Sequence, residues 1–91
     1  MSVTRSIEVV NKRGLHARAS RKLAELALGY DCTRVSVRRE GEEADARSLM
    51  DLMMLGAALG DVIEVETRGP KAEEAMAAVE ALFAAKFYEE A

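Results

Sequence analysis

The sequence predicts an α+β fold, in which helices cover one face of an antiparallel or mixed β-sheet. Three observations predict it. Short runs of alternating apolar and polar residues recur along a chain of only 91 residues, as half-buried strands require. Three further stretches read as helices from composition, spacing or a capping signature. Glycines stand at most of the junctions, and the resulting order is β-α-β-β-α-β-α. A ferredoxin-like split βαβ shares the first six elements, and order alone does not separate the two arrangements.

Residues 4–10 form the first expected strand, with Ile7 and Val9 on one face and Ser6 and Glu8 on the other. A polar loop, Asn11-Lys12-Arg13-Gly14-Leu15, follows. Residues 17–28 are rich in Ala, Leu, Lys and Glu, which favour helix. Leu23, Leu26 and Ala27 form the inward stripe, while Arg21, Lys22 and Glu25 stay outside. Gly29 is placed to end this helix, and Tyr30 to cap the core. Residues 33–38 alternate Thr33, Val35 and Val37 against Arg34, Ser36 and Arg38, a half-buried strand. Glu40-Gly41 marks a turn, and residues 42–46 form a weak strand with Ala44 and Ala46 inward. Its acids suit an edge strand protected by charge.

Ser48 with Asp51 three residues on resembles a capping box with Asp in place of Glu or Gln. Leu49, Met50, Leu52, Met53, Met54 and Leu55 then make the next helix apolar almost all round. A short helix cannot bury every side, so part belongs to the core and the rest is open to form an exposed patch. Residues 56–60 connect to the last strand, 61–68, with Ile63 and Val65 inward. Gly69-Pro70 breaks it. The last helix is expected over 71–87, on a stripe of Ala72, Ala75, Met76, Val79, Leu82 and Phe83; Phe87 and Tyr88 read as packing and tail residues.

The length suits one domain, 1–91. No apolar run is long enough to span a membrane, and the N-terminus lacks the basic-then-apolar pattern of a signal peptide. Cys32 is alone, which rules out an internal disulfide and a multi-cysteine metal site. These points fit a cytoplasmic protein with no resident metal or cofactor. Thirteen Lys and Arg oppose sixteen Asp and Glu, but the bases concentrate in the first half. Lys12, Arg13, Arg18, Arg21 and Lys22 surround the one histidine, His16, in sequence. Such asymmetry steers an acidic partner. An acidic chain with no Trp argues against nucleic acid.

His16 falls at or just before the first helix start. That position presents unpaired N–H groups and partial positive charge, which disfavour an imidazolium and should push the imidazole pKa down. A neutral imidazole has a lone pair and is a nucleophile. A phosphoryl group on that nitrogen is a dianion, which the same N–H groups favour. Arg18 supplies a fork suited to phosphate oxygens. A hydrolase would need a nucleophile–base pair, and no second histidine exists.

The string Asn11-Lys12-Arg13-Gly14-Leu15-His16-Ala17-Arg18-Ala19 resembles the active-site segment of HPr, the histidine phosphocarrier of the bacterial phosphotransferase system. Ser48-Leu49-Met50, with Met53, Leu55 and Gly56, resembles the regulatory-serine segment of the same family. The resemblance covers nearly the whole chain. It implies an open-faced β-sandwich of four antiparallel strands with three helices on one side. It further implies that enzyme I, phosphorylated by phosphoenolpyruvate, passes the group to His16, that Arg18 holds its oxygens, and that an EIIA protein receives it. Leu49, Met50 and Met53 match the family's docking patch, and Ser48 matches the residue phosphorylated by HPr kinase/phosphorylase.

The chain departs from the pattern at Ala19, where many members have proline, and at Asp51, where sugar-system members have glycine. Glu40-Gly41-Glu42-Glu43-Ala44, residues 63–70, and Ala81-Leu82-Phe83 with Phe87 are closer to NPr, the nitrogen-related branch. The expected role is a stoichiometric, monomeric phosphocarrier, not an enzyme in its own right, serving sugar uptake, nitrogen-related regulation or both. The rival is a ferredoxin-like regulatory or ligand-binding module in which His16 only caps a helix.

Overall fold

The computed structural model describes residues 1–89. Residues 90 and 91 of the expected domain lie outside the described residues. The order is β1 (Ser2–Glu8), α1 (Ala17–Leu28), β2 (Arg34–Arg39), β3 (Glu42–Asp45), α2 (Leu49–Met54), β4 (Val62–Arg68) and α3 (Ala72–Ala84), followed by a tight turn at Lys86–Tyr88. The strands form one antiparallel sheet in the order β1-β4-β2-β3. β3 lies at an edge, where its acids discourage further pairing. A ferredoxin-like sheet would carry β1 inside, beside β3; here β1 is the other edge and pairs with β4 alone, so the open-faced arrangement holds and the rival fold does not.

Alternation decides what each strand gives to the core. Val35 and Val37 of β2, Ala44 of β3, and Ile63, Val65 and Thr67 of β4 are buried beneath the helices. They meet Leu23 and Ala27 of α1, Leu52 of α2, and Met76, Val79 and Phe83 of α3. Each fully buried large side chain contributes about 1.5–3 kcal/mol relative to exposure. The other face of the sheet is polar. Arg38 there donates to Glu43 and Glu64 at 2.8 Å each, and also to Glu66. The hydroxyl of Ser2, the Arg38 guanidinium and Arg68 all hold the Glu66 carboxyl down at about 2, and the acids around Arg38 push its pKa up in turn.

Several expected boundaries shift, and one expected cap is only half made. β1 begins and ends two residues earlier than the alternation suggests, because its ladder with β4 closes at Glu8↔Val62. Val9 is still fully buried, but it is held outside the ladder by bonds to Asp61 and Gly60. Thr33 is buried yet precedes β2, and Ala46 is buried just beyond β3. The capping box at Ser48 is half built: Ser48 Oγ accepts from Asp51 N–H at 3.2 Å, while the Ser48 N–H is spent on the Asp45 carbonyl at 2.9 Å. α3 stops at Ala84, not at Phe87. Lys86, Phe87 and Tyr88 take φ of 55°, 56° and 58°, a left-handed run that no helical periodicity announces. Each costs about 1–2 kcal/mol. Burial of Phe87 and its edge contact with Phe83, 4.8 Å between ring centres, offset that cost.

Candidate functional site

His16 is the N-cap of α1. Its backbone is extended, and its carbonyl accepts the first bond of the helix from Ser20 N–H at 2.9 Å. The ring turns back over the helix start, so that Nδ1 accepts from Arg18 N–H at 3.3 Å. A nitrogen that accepts carries no hydrogen. The neutral ring is therefore the Nε2–H tautomer, and Nε2 faces the carboxylate of Glu89.

Glu89 is the partner that the sequence did not announce. It lies 73 positions from His16, and nothing in the acidic tail distinguishes it from Glu90. The left-handed turn after α3 brings it over the helix start. Lys22 of α1 donates its Nζ to the Phe87 carbonyl and sits 5.7 Å from the Tyr88 ring centre, which ties the tail down. Asn11, only 1% exposed, donates from Nδ2 to the Gly14 carbonyl at 2.8 Å and to Glu89 Oε1 at 3.2 Å. Burial pushes the Glu89 carboxyl up. The hydrogen bonds from His16 and Asn11 and the charges of His16 and Arg13 outweigh it, leaving the group below its usual range. Among the described residues, Asn11 Oδ1 is a buried acceptor with no partner, a cost of about 1–3 kcal/mol carried beside the site.

The cleft in front of His16 has a volume of 410 Å³ and is lined by Lys12, Arg13, Arg18, Lys22, Tyr88 and Glu89. Four cations thus face the ring. Arg18 is exposed, and its main chain is fixed at the helix start by its backbone contact with His16. Such a cleft suits a dianionic group. Among the described residues, no group of three or more His, Cys, Asp or Glu is placed to hold a metal ion.

The loop before His16 is fixed from the other side. Gly14 takes φ +62°, and a Cβ there would stand 2.3 Å from the Ala57 carbonyl oxygen. Leu15 N–H donates to that oxygen at 2.9 Å. Ala57 follows α2, the helix with the apolar surface. α2 buries Leu52 fully and turns Leu49, Met50, Met53 and Met54 outward, with Met50 65% and Met54 75% exposed. Met54 belongs to this patch although the sequence reading did not include it. Ser48 caps the same helix and is half-buried, one position from the patch. The structure therefore gathers His16 and Arg18 in one cleft and places Ser48, Leu49, Met50 and Met53 on a separate surface joined to it through Gly14 and Ala57.

A family model described as the PTS HPr component phosphorylation site matches residues 3–85. The phosphocarrier protein NPr of Escherichia coli (strain K12) is 48% identical over 90 residues, covering 99% of this chain and all of that protein. The phosphocarrier protein HPr of Cupriavidus necator is 47% identical over 85 residues, covering 93% of this chain and 94% of that protein. The crystal structure of HPr-C-His from Thermoanaerobacter tengcongensis superposes with a TM-score of 0.92 at 32% identity, covering 98% of this chain and 99% of that one. A ferredoxin-like regulatory or ligand-binding module finds no support in these likenesses.

Proposed function

The chain belongs to the HPr family of phosphocarriers of the phosphotransferase system, and on that premise we propose that His16 is the residue that carries the phosphoryl group. The observation that carries the proposal is the contact between His16 Nδ1 and the first turn of α1. It supports Nδ1 as the unprotonated, nucleophilic nitrogen. Nε2, facing Glu89, is occupied.

Transfer between two histidines exchanges one N–P bond for another of similar energy. It needs alignment and neutralisation of charge, not acid–base chemistry. The lone pair on Nδ1 attacks phosphorus in line with the departing nitrogen. The phosphoryl oxygens then replace the imidazole as acceptors for the open N–H groups of the first turn, where the helix dipole favours them. The Arg18 guanidinium offers paired donors to two of those oxygens. Enzyme I is the donor and an EIIA protein the acceptor in this reading, and both dock on Leu49, Met50 and Met53. Phosphorylation of Ser48 by an HPr kinase/phosphorylase regulates that docking. The protein is a stoichiometric carrier, active as a monomer in the cytoplasm, not an enzyme in its own right. No described helix is long and apolar enough to cross a membrane. The fuller coverage of the chain by the NPr relative favours the nitrogen-related branch.

Incubation with enzyme I and phosphoenolpyruvate should give an acid-labile, base-stable phosphate on the protein. A phosphate stable to acid, or none at all, would remove the phosphohistidine.

A further inference from the structure

We infer that Glu89 is a positioning residue for phosphoryl transfer, a carboxylate that orients the His16 ring and balances the charge it acquires, an inference that rests on the assignment of His16 as carrier. Four residues form a chain of contacts. The Gly14 carbonyl accepts from Asn11 Nδ2 at 2.8 Å, Asn11 Nδ2 also donates to Glu89 Oε1 at 3.2 Å, and Glu89 Oε2 accepts from His16 Nε2. Asn11 is buried, and the Glu89 carboxylate is only 12% exposed. The main chain just before Glu89 is held as well, by burial of Phe87 and by Lys22 on its carbonyl. A carboxylate held by its own hydrogen bonds and by the main chain before it is built to hold its partner still.

The balance of the reaction says what it does. When Nδ1 forms the new N–P bond, the donor's N–P bond breaks and its electron pair returns to the donor nitrogen. No proton moves. His16 keeps its hydrogen on Nε2, so the ring becomes positive as the phosphoryl group arrives. Glu89 faces that hydrogen and neutralises the ring, while Arg18, Lys12, Arg13 and Lys22 attend to the phosphoryl side. The role is that of the carboxylate in a Ser-His-Asp triad, which fixes the imidazole tautomer and stabilises the imidazolium without taking the proton, with the two ring nitrogens exchanged: here the carboxylate faces Nε2 and Nδ1 reacts. The same contact serves the second half of the cycle. A ring that keeps Nε2–H departs from phosphorus as a neutral imidazole, whereas a ring that lost it would depart as an imidazolate, a far poorer leaving group.

The test uses the full chain as wild type, Glu89→Gln and Glu89→Ala, with His16→Ala as the labelling control. Nitrogen-15 NMR of the His16 ring reads the tautomer, and rapid-quench transfer from phosphorylated enzyme I reads the rate. Both Glu89 variants should stay folded, Glu89→Gln melting close to wild type and Glu89→Ala lower, since Ala leaves Asn11 Nδ2 and the ring without their shared acceptor. Glu89→Ala should show a weakened preference for the Nε2–H tautomer, Glu89→Gln should keep it through its amide oxygen, and both should show kcat for transfer about tenfold lower at unchanged KM, the lower end of what outer partners of a reacting group contribute. Glu89→Gln separates charge from contact, because its amide still reaches the ring but carries no charge. If wild type is labelled at His16 and both variants match it in ring signals and rate, Glu89 is a tail contact only and the inference fails while the carrier assignment stands. A faster variant would also overturn it, making Glu89 a shield. If wild type takes no label, the carrier assignment itself is lost.

Discussion

The backbone N–H of Arg18 donates to Nδ1 of His16, so one residue holds the ring by its main chain and, in the proposed transfer, would serve the phosphoryl oxygens by its side chain. Both jobs depend on the helix start being where it is. The side-chain job alone can be removed by substitution, which separates the first two predictions.

His16→Ala should fold, with stability reduced by about 1 kcal/mol at most from loss of the helix cap. It should take no phosphate from enzyme I, because no other side chain in the cleft offers a neutral nitrogen nucleophile at the helix start. Phosphoenolpyruvate-dependent labelling of this variant, read by autoradiography, would falsify the assignment.

Arg18→Lys should melt at the wild-type temperature, since the side chain is exposed. It keeps the charge and the backbone donor but loses the planar fork. Single-turnover transfer should slow by about tenfold, the loss of one charge-assisted hydrogen bond. An unchanged rate would leave Arg18 as a steering charge.

Met53→Glu should cost less than about 1 kcal/mol of stability, because Met53 points out of α2 while Leu52 holds the core. Binding to enzyme I, measured by titration calorimetry, should weaken by at least about tenfold, since the new carboxylate must be desolvated on docking. Loss of the fold in place of loss of binding would put Met53 inside.

Ser48→Asp should keep thermal stability, because Asp caps the Asp51 N–H as Ser48 does. It should slow transfer from enzyme I by placing a charge beside Leu49, Met50 and Met53. Asp51 stands one turn away and repels a phosphate at Ser48, so Asp51→Gly should make Ser48 a better kinase substrate. Equal transfer rates in wild type, Ser48→Asp and Ser48→Ala would leave Ser48 as a helix cap.

Acid stability should depend on Glu66. Its carboxyl is lowered from the usual 4.5 to about 2 by Ser2, Arg38 and Arg68, which link β1, β2 and β4. A depressed folded-state pKa means that the unfolded chain binds the proton first. The contribution is therefore complete above about 4.5 and disappears as pH falls toward about 2. Glu66→Gln should lower stability at neutral pH and flatten the denaturation profile across that window. A mutant profile parallel to wild type would show that the network contributes nothing net.

The sheet was legible because apolar residues recur at every second position in β2 and β4, and Val35, Val37, Ile63 and Val65 lie buried where that puts them. His16 was legible because a polar loop and a run of helix formers meet there. The half-apolar character of α2 was legible as an excess of Leu and Met over what a short helix can bury. What escaped the sequence is non-local. Glu89 reaches His16 through three left-handed residues that have no glycine among them, a conformation set by the burial of Phe87 and not by local preference. The unmade half of the Ser48 cap escaped for the same reason, since the bend from β3 takes the Ser48 N–H first.

Gly14 stands between two surfaces that share no residue. Its missing Cβ leaves room for the Ala57 carbonyl, and that oxygen ties the histidine loop to the segment leaving α2. On the proposed docking surface, a partner that finds α2 would therefore also find His16, at an offset written into the backbone. Larger side chains at position 14 would meet the main chain of Ala57 and strain a φ of +62°, and so would push the histidine loop away from the segment leaving α2. In the proposed exchange, specificity would be stored partly in an absence of atoms.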